Sequence, residues 1–406
     1  MKDQVYNIFE QQQTDRGIDL EAVKQKLKEI QVETPSWGYG DSGTRFKVFQ
    51  QEGVPRNLYE KIQDAAQVHK HTGICPGVAI HIPWDQADDY QEIKRFAAEH
   101  GMKVGAVNPN LFQDEDYKFG SVSNSNPKVR KKAVEHLLEC VQIAREVGSK
   151  DLSLWFADGT NYPGQADIRK RKHWMYESLA EMYQALDDDM RMLIEYKFFE
   201  PAFYHTDLAD WGMSYNMAMK LGPKAEVLVD TGHHPQGTNI EHIVAYLLDE
   251  KRLGGFHFNS RKYADDDLIV AAHNPYELFL TFFQIVSAQN DSDAGIRKTT
   301  ENIAYMLDQC HNLEPKIPAM IRSITNVQTL YAKALLIDLK EVEDAQQKQD
   351  VLAAENAVRK AFEFDVTPLL NVVREEMGVP ANPLEAYLSS SYGEEILARG
   401  KGGASW

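Results

Sequence analysis

Cysteine is scarce in this chain. There are three (Cys75, Cys140, Cys310), far apart in sequence and without a CxxC pair, which excludes a disulfide framework or a cysteine-rich zinc site and predicts reduced thiols. Basic charge is also short: 44 Lys plus Arg stand against 61 Asp plus Glu, a formal net charge of −17. That sign repels phosphate backbones and anionic lipid, so neither nucleic acid nor a membrane surface is an expected partner. The one basic run, Arg169-Lys170-Arg171-Lys172-His173, reads as a solvated helix face. No apolar stretch approaches the ~18 residues needed to span a bilayer, and the polar start Met1-Lys2-Asp3-Gln4 does not read as a signal peptide. A soluble cytoplasmic protein is expected.

What is present is a core: 43% of the 406 residues are hydrophobic and 10% aromatic. Short β-rich runs alternate with helical stretches. The strands are expected at Ser36-Tyr39, Gly77-Ile82, Lys103-Val107, Asp151-Phe156, Arg191-Lys197, Glu226-Asp230, Gly255-Asn259 and Ile303-Leu307. Helices are expected near 57–69, 87–100, 127–147, 167–186, 207–221, 239–252 and 274–288. Asn126-Pro127 and Asn274-Pro275 have the form of an N-cap followed by a first-turn proline. Eight such units predict an α/β fold, a closed parallel (β/α)8 TIM barrel over residues 1–315 with an N-terminal helical segment. Residues 316–406 read as a C-terminal α-helical extension engaged in subunit contacts.

Polar and aromatic residues gather at the C-terminal ends of these strands, where barrels build their sites: Trp37, His81, Asn108, Trp155, Glu195 with Lys197, Asp230 with His233, His257 and Asp308. Asp265 and Asp267 follow the seventh strand. Taken singly each has an ordinary explanation. Asp-x-x-His is commonly a loop cap, Asp265-Asp266-Asp267 an Asx turn, Glu195 with Lys197 a lining ion pair, and His81 a core histidine. Together they describe a metal cavity. Two carboxylates ~4 Å apart repel by about 4 kcal/mol at an effective dielectric of 20. Two divalent cations plus Lys197 would neutralise five of them. Mixed carboxylate and imidazole donors suit Mn²⁺, Co²⁺ or Mg²⁺. Trp37, Phe46, Phe112 and Trp155 supply apolar faces of the kind a sugar's C–H surfaces use.

These residues lie in long characteristic strings: His81-Ile82-Pro83-Trp84-Asp85, Leu154 through Gln165, Glu195 through Pro201, Asp230-Thr231-Gly232-His233-His234, Phe258-Asn259-Ser260-Arg261 and Asp308 through Asn312. Over about residues 30 to 315 the chain resembles bacterial L-rhamnose isomerases, in the branch that also acts on D-allose and other rare aldoses. The resemblance implies a xylose-isomerase-like barrel, a homotetramer and two divalent metals, commonly manganese. It implies that Glu195, Asp230, His257 and Asp308 hold a structural metal, and that His233, Asp265 and Asp267 hold a catalytic one with Glu195 bridging. Lys197 would contact a substrate oxygen, with His81 and Trp155 lining the sugar site and Phe46 lent to a neighbouring subunit. The implied chemistry is an aldose-to-ketose conversion with His81, Asp267 and Lys197 as its catalytic groups. A sugar epimerase of similar architecture, a metal-dependent endonuclease and a non-catalytic sugar-binding barrel are the rival expectations.

Overall fold

The computed structural model describes residues 2–42, 48–200, 204–310 and 313–402. Phe46 lies outside them. Eight parallel strands close into a barrel in chain order: β1 Val32–Pro35, β2 Gly77–Ile82, β3 Lys103–Pro109, β4 Asp151–Leu154, β5 Arg191–Glu195, β6 Ala225–Asp230, β7 Leu253–Phe258 and β8 Ala304–Leu307. The expected α/β barrel is thus present. The first strand differs from expectation: it is Val32–Pro35, and Ser36–Tyr39 is a turn of 3₁₀ helix at its C-terminal end. Pro35 explains the break, since a strand cannot use a missing N–H.

The helices outside the barrel begin at Asx caps. Each of α3 Leu58–Thr72, α4 Tyr90–Glu99, α5 Pro127–Val147, α6 Ile168–Ala185, α7 Trp211–Leu221, α8 Ile240–Asp249 and α9 Pro275–Gln289 follows an Asn or Asp whose side chain accepts a first-turn amide. The Asn126-Pro127 and Asn274-Pro275 pairs sit as their sequences suggest. Two helices, α1 Lys2–Asp15 and α2 Leu20–Glu29, precede β1, and a short α10 Ala294–Glu301 precedes β8. The basic run is only partly a solvated face. Arg171 is buried, its guanidinium 2.9 Å from Asp207 and donating to the Phe119 carbonyl at 3.0 Å.

After β8, α11 Lys316–Leu335 packs on both α9 and α3 and so fills the eighth place in the helical ring. The helices beyond this ring begin at α12 Leu339–Gln347, with Asp338 as its N-cap. They continue through α13 Val351–Glu363, α14 Thr367–Glu376, α15 Pro383–Leu388 and α16 Tyr392–Glu395. The last turns fold back on the barrel, where Arg399 pairs with Asp64 of α3 at 2.9 Å and Gly53 N donates to Gly400 O at 2.9 Å. Among the described residues no helix is long and apolar enough to cross a membrane.

Inward-facing residues recur every second position, as strand geometry requires. In β5 these are Arg191, Leu193 and Glu195; in β6 Glu226, Leu228 and Asp230. The N-terminal end of the barrel is ionic, Arg191 joining Asp151 at 2.8 Å and Glu226 at 2.9 Å. The middle is apolar, with Ala79, Ala106, Leu193, Leu228 and Met306 packed together beneath Trp37. The third step carries the carboxylates Glu195 and Asp230.

Candidate metal centre and sugar cavity

One step beyond that apolar floor, Glu195, Asp230, His257 and Asp308 converge with one ligand atom each within 4.8 Å of the others. A second group, Asp230, His233 and Asp265, meets the same criterion. The two share Asp230, where the resemblance assigns the bridge to Glu195. Glu195 Oε1 nonetheless lies between the imidazoles, 3.1 Å from His257 Nδ1 and 3.2 Å from His233 Nδ1. Asp267 lines the cavity but belongs to neither tight group. It sits at φ 47°, a left-handed conformation that Asp tolerates better than most residues.

Supporting contacts hold these donors in place. Both Asp230 oxygens accept from Asn259 Nδ2 at 3.0 Å, and Gly232 N donates to Oδ1 at 2.6 Å. Gly232 is required there, since a Cβ would come within 2.6 Å of Asn259 Oδ1. Trp37 Nε1 donates to Asp308 Oδ1 at 2.8 Å, and His233 Nδ1 faces the Tyr196 carbonyl at 3.1 Å. Lys197 Nζ reaches Asp265 Oδ2 at 2.6 Å and stands 4.9 Å over the Trp155 ring. Its main-chain N donates to Leu208 O at 3.0 Å, and Thr206 Oγ1 donates to its carbonyl.

The electrostatics fit bound cations. Burial pushes the Asp230 carboxyl up to about 7, and burial with Asp265, Asp308 and Asp230 nearby drives Asp267 well above the carboxylate range. Burial opposes charge on the imidazoles, yet Asp230 and Asp265 hold His233 up to about 10, and Glu195 and Asp308 hold His257 up to about 9. So many acceptors crowd here that imidazoles are drawn into their charged form, which is the demand a divalent cation meets. Asp265 Oδ1, buried and 3.4 Å from His233 Nε2, is a further acceptor at the site. Oxygen and imidazole donors with no thiolate in either group match hard or borderline divalent ions.

Opposite the donors runs an arc of rings. From Asp308 it passes through Trp37, His81 (5.5 Å between centroids), Trp84 stacked on His81 at 3.8 Å, Phe112 at 5.9 Å from Trp84, and Trp155 at 4.7 Å, ending at Lys197. Strands β1 to β4 thus carry the aromatic half of the mouth and β5 to β8 the ligand half. The cavity they enclose is about 270 Å³, a small-molecule scale. His81 is held far below the ordinary imidazole range, first by burial and then by Lys61, and its Nδ1 has no hydrogen-bond partner among the described residues.

Every expected site residue within the described segments lines this cavity or, for Asp230, the donor groups beneath it. Sequence reasoning passed over Trp84 and Cys310 as cavity walls. Trp84 stands three residues past His81 and Cys310 two past Asp308, so proximity to a strand-end site residue was the available signal. A larger cavity of about 810 Å³ lies between α6 and α7 and includes none of the site's donors.

Residues 64–279 match the family described as the xylose isomerase-like TIM barrel. A probable sugar isomerase of Rhizobium meliloti is 42% identical over 388 residues, covering 94% of this chain and 89% of its own length. One from Mesorhizobium japonicum is 40% identical over the same shares. The xylose isomerase of Thermus thermophilus is 26% identical over 53% of this chain and 57% of its own. Among solved structures, an L-ribulose 3-epimerase (TM-score 0.52, 11% identity, 82% of this chain and 97% of that one) shares the fold. So does a D-allulose 3-epimerase from Methylomonas sp. (TM-score 0.55, 14% identity, 74% and 97%). The chain therefore belongs to the xylose isomerase-like TIM-barrel family.

Proposed function

We propose that the protein is a metal-dependent aldose–ketose isomerase that interconverts L-rhamnose and L-rhamnulose and accepts D-allose and related rare aldoses. The observation that carries this is the divided cavity mouth: two cation-binding groups and Lys197 face a continuous arc of aromatic rings. The names of its relatives, two probable sugar isomerases and a xylose isomerase, support the reaction class.

Glu195, Asp230, His257 and Asp308 would hold one divalent cation. Asp230, His233 and Asp265, with Asp267 alongside, would hold the other, manganese being the first choice and cobalt or magnesium the alternatives. Bound there, the cations would supply Lewis acidity toward the sugar oxygens. The chain's own groups do the rest. His81, neutral, takes the anomeric hydroxyl proton and returns one at the ring oxygen as the pyranose opens. Asp267 passes a proton from O2 to O1. Lys197 donates to O1 as negative charge develops there while hydrogen moves from C2 to C1. The rings of Trp37, Phe112 and Trp155 cover the C–H faces and keep water off the open chain.

The second reading is a sugar epimerase, favoured by the fold shared with two sugar 3-epimerases. Incubation with Mn²⁺ and L-rhamnose separates them. A ketose formed from the aldose supports isomerisation, whereas no ketose from any aldose but a C3-inverted ketose from a ketose establishes the epimerase. In deuterated water, early ketose without deuterium at C1 supports hydride transfer, and substantial label there replaces it with an ene-diol route. Among the described residues of the extension, four large apolar side chains stand exposed, Val351, Leu352, Leu388 and Leu397. They support the inference that this region makes subunit contacts in a homotetramer, which light scattering would measure. A cytoplasmic location is inferred with it from the three unpaired cysteines.

A further inference from the structure

Lys61 of α3 and Asp85, in the turn after β2, form an ion pair at 2.6 Å with side chains 1% and 0% exposed. Neither lines the sugar cavity. Asp85 Oδ1 takes the lysine. Oδ2 accepts from the Ser36 hydroxyl and, at 2.8 Å, from the main-chain N of His81, while Asp85 N donates to His81 O at 2.8 Å. One carboxylate therefore links α3, the 3₁₀ turn carrying Trp37, and the end of β2 carrying His81.

Stability does not explain the pair. Two buried charges lose more solvation than a well-packed apolar pair of the same volume would. What the pair touches does explain it. Ser36 immediately precedes Trp37, whose indole N–H holds Asp308. His81 Nδ1 has no hydrogen-bond partner among the described residues, so the imidazole is placed by its main-chain anchor and by its rings, Trp84 at 3.8 Å and Trp37 at 5.5 Å. Both aromatic groups nearest the acid–base chemistry are thus set from behind by one acceptor oxygen, which the lysine charge pins in place.

We propose that Lys61 and Asp85 are positioning residues that fix Trp37 and His81 against the sugar, an inference that rests on the isomerase reading of the cavity. The acceptor oxygen is the essential element and the charge only orients it. Two neutral replacements separate these roles. Lys61→Gln with Asp85→Asn keeps an oxygen facing Ser36 and His81, while Lys61→Met with Asp85→Leu fills the space without one. Ser36→Ala removes only the link to the Trp37 turn and leaves the fold unburdened.

The first pair is expected to retain kcat on L-rhamnose to within about threefold. The second is expected to lose up to ~10²-fold in kcat with KM little changed, as displaced catalytic groups do. Ser36→Ala should fall between. Near-UV circular dichroism of the metal-free proteins gives a readout independent of turnover: the tryptophan bands should change in the second pair and in Ser36→Ala, and stay parental in the first. If Ser36→Ala and the apolar pair match the parent in both kcat and tryptophan bands, the proposal is overturned. The same holds if the Gln/Asn pair is as damaged as the Met/Leu pair. Should the second pair not fold, Ser36→Ala and the Gln/Asn pair decide by the same criteria. A parent inactive on every aldose would overturn the isomerase reading alone, and the dichroism would still test the positioning.

Discussion

Glu33→Gln is predicted to stabilise the protein at alkaline pH and to leave it nearly unchanged in acid. Glu33, on β1, sits at the ionic end of the barrel interior against two glycines. A Cβ on Gly105 would lie 2.1 Å from its Oε2, and one on Gly77 would lie 2.9 Å from its Cγ. The Ala106 amide donates to Oε2 at 2.9 Å, but Arg191 is taken up by Asp151 and Glu226. Burial consequently pushes the Glu33 carboxyl from 4.5 up to about 7, against the amide's opposing pull. With the folded pKa above the unfolded one, the native state holds the extra proton between those values. Stability is then full below about pH 4.5 and declines as pH rises through 7. At about 1.4 kcal/mol per tenfold in proton affinity the loss is at most ~3 kcal/mol, less whatever water reaches the side chain. With ~2.1 cal/mol/K per residue in the unfolding entropy, that corresponds to ~3.5 °C for this chain. Gln keeps the acceptor for Ala106 without the ionisation. Thermal unfolding of parent and variant from pH 5 to 8 should therefore diverge, the variant melting higher at pH 8. Parallel curves across that range would refute the reasoning.

Lys197→Met should lower kcat by ~10²–10³-fold, the cost of removing a charged donor from a developing oxyanion. Elemental analysis should find its metal content unchanged, and loss of metal would reassign the residue to the metal site. Gly232→Ala should weaken metal binding by ~10–100-fold, because its Cβ meets Asn259 Oδ1 at 2.6 Å and Asp230 Oδ1 at 3.1 Å. Titration calorimetry measures that directly, and parental affinity would show that the Asn259–Asp230 contact is dispensable. Removing metal from the parent with a chelator should lower its melting temperature, since an ion bound only by the folded state stabilises by mass action. An unchanged melt would argue against a cation in the Asp230 cluster.

The strand ends were legible because strand chemistry is local. Runs such as Val227-Leu228-Val229-Asp230 announce an apolar segment that finishes in a carboxylate, and the Asx residues before α3 to α9 mark where the chain turns. The first strand was misplaced because Ser36-Trp37-Gly38-Tyr39 is aromatic and buried, which looks like a strand, while Pro35 decides otherwise. Arg171 looked solvated among its basic neighbours, and only the packing of Asp207 and the Phe119 carbonyl around it made it a buried ion.

Chain order and alternation by themselves determined an eight-stranded barrel with carboxylates and imidazoles at one end, since periodicity and capping depend on near neighbours. Tertiary structure alone decided which donors come within reach of one another: Asp230 stands in both groups and Asp267 in neither. It also decided that Trp84 closes the aromatic arc and that Lys61 reaches Asp85 across 24 residues. Those outcomes depend on how strands tilt and how side chains from distant segments fill one space, and no local pattern encodes them.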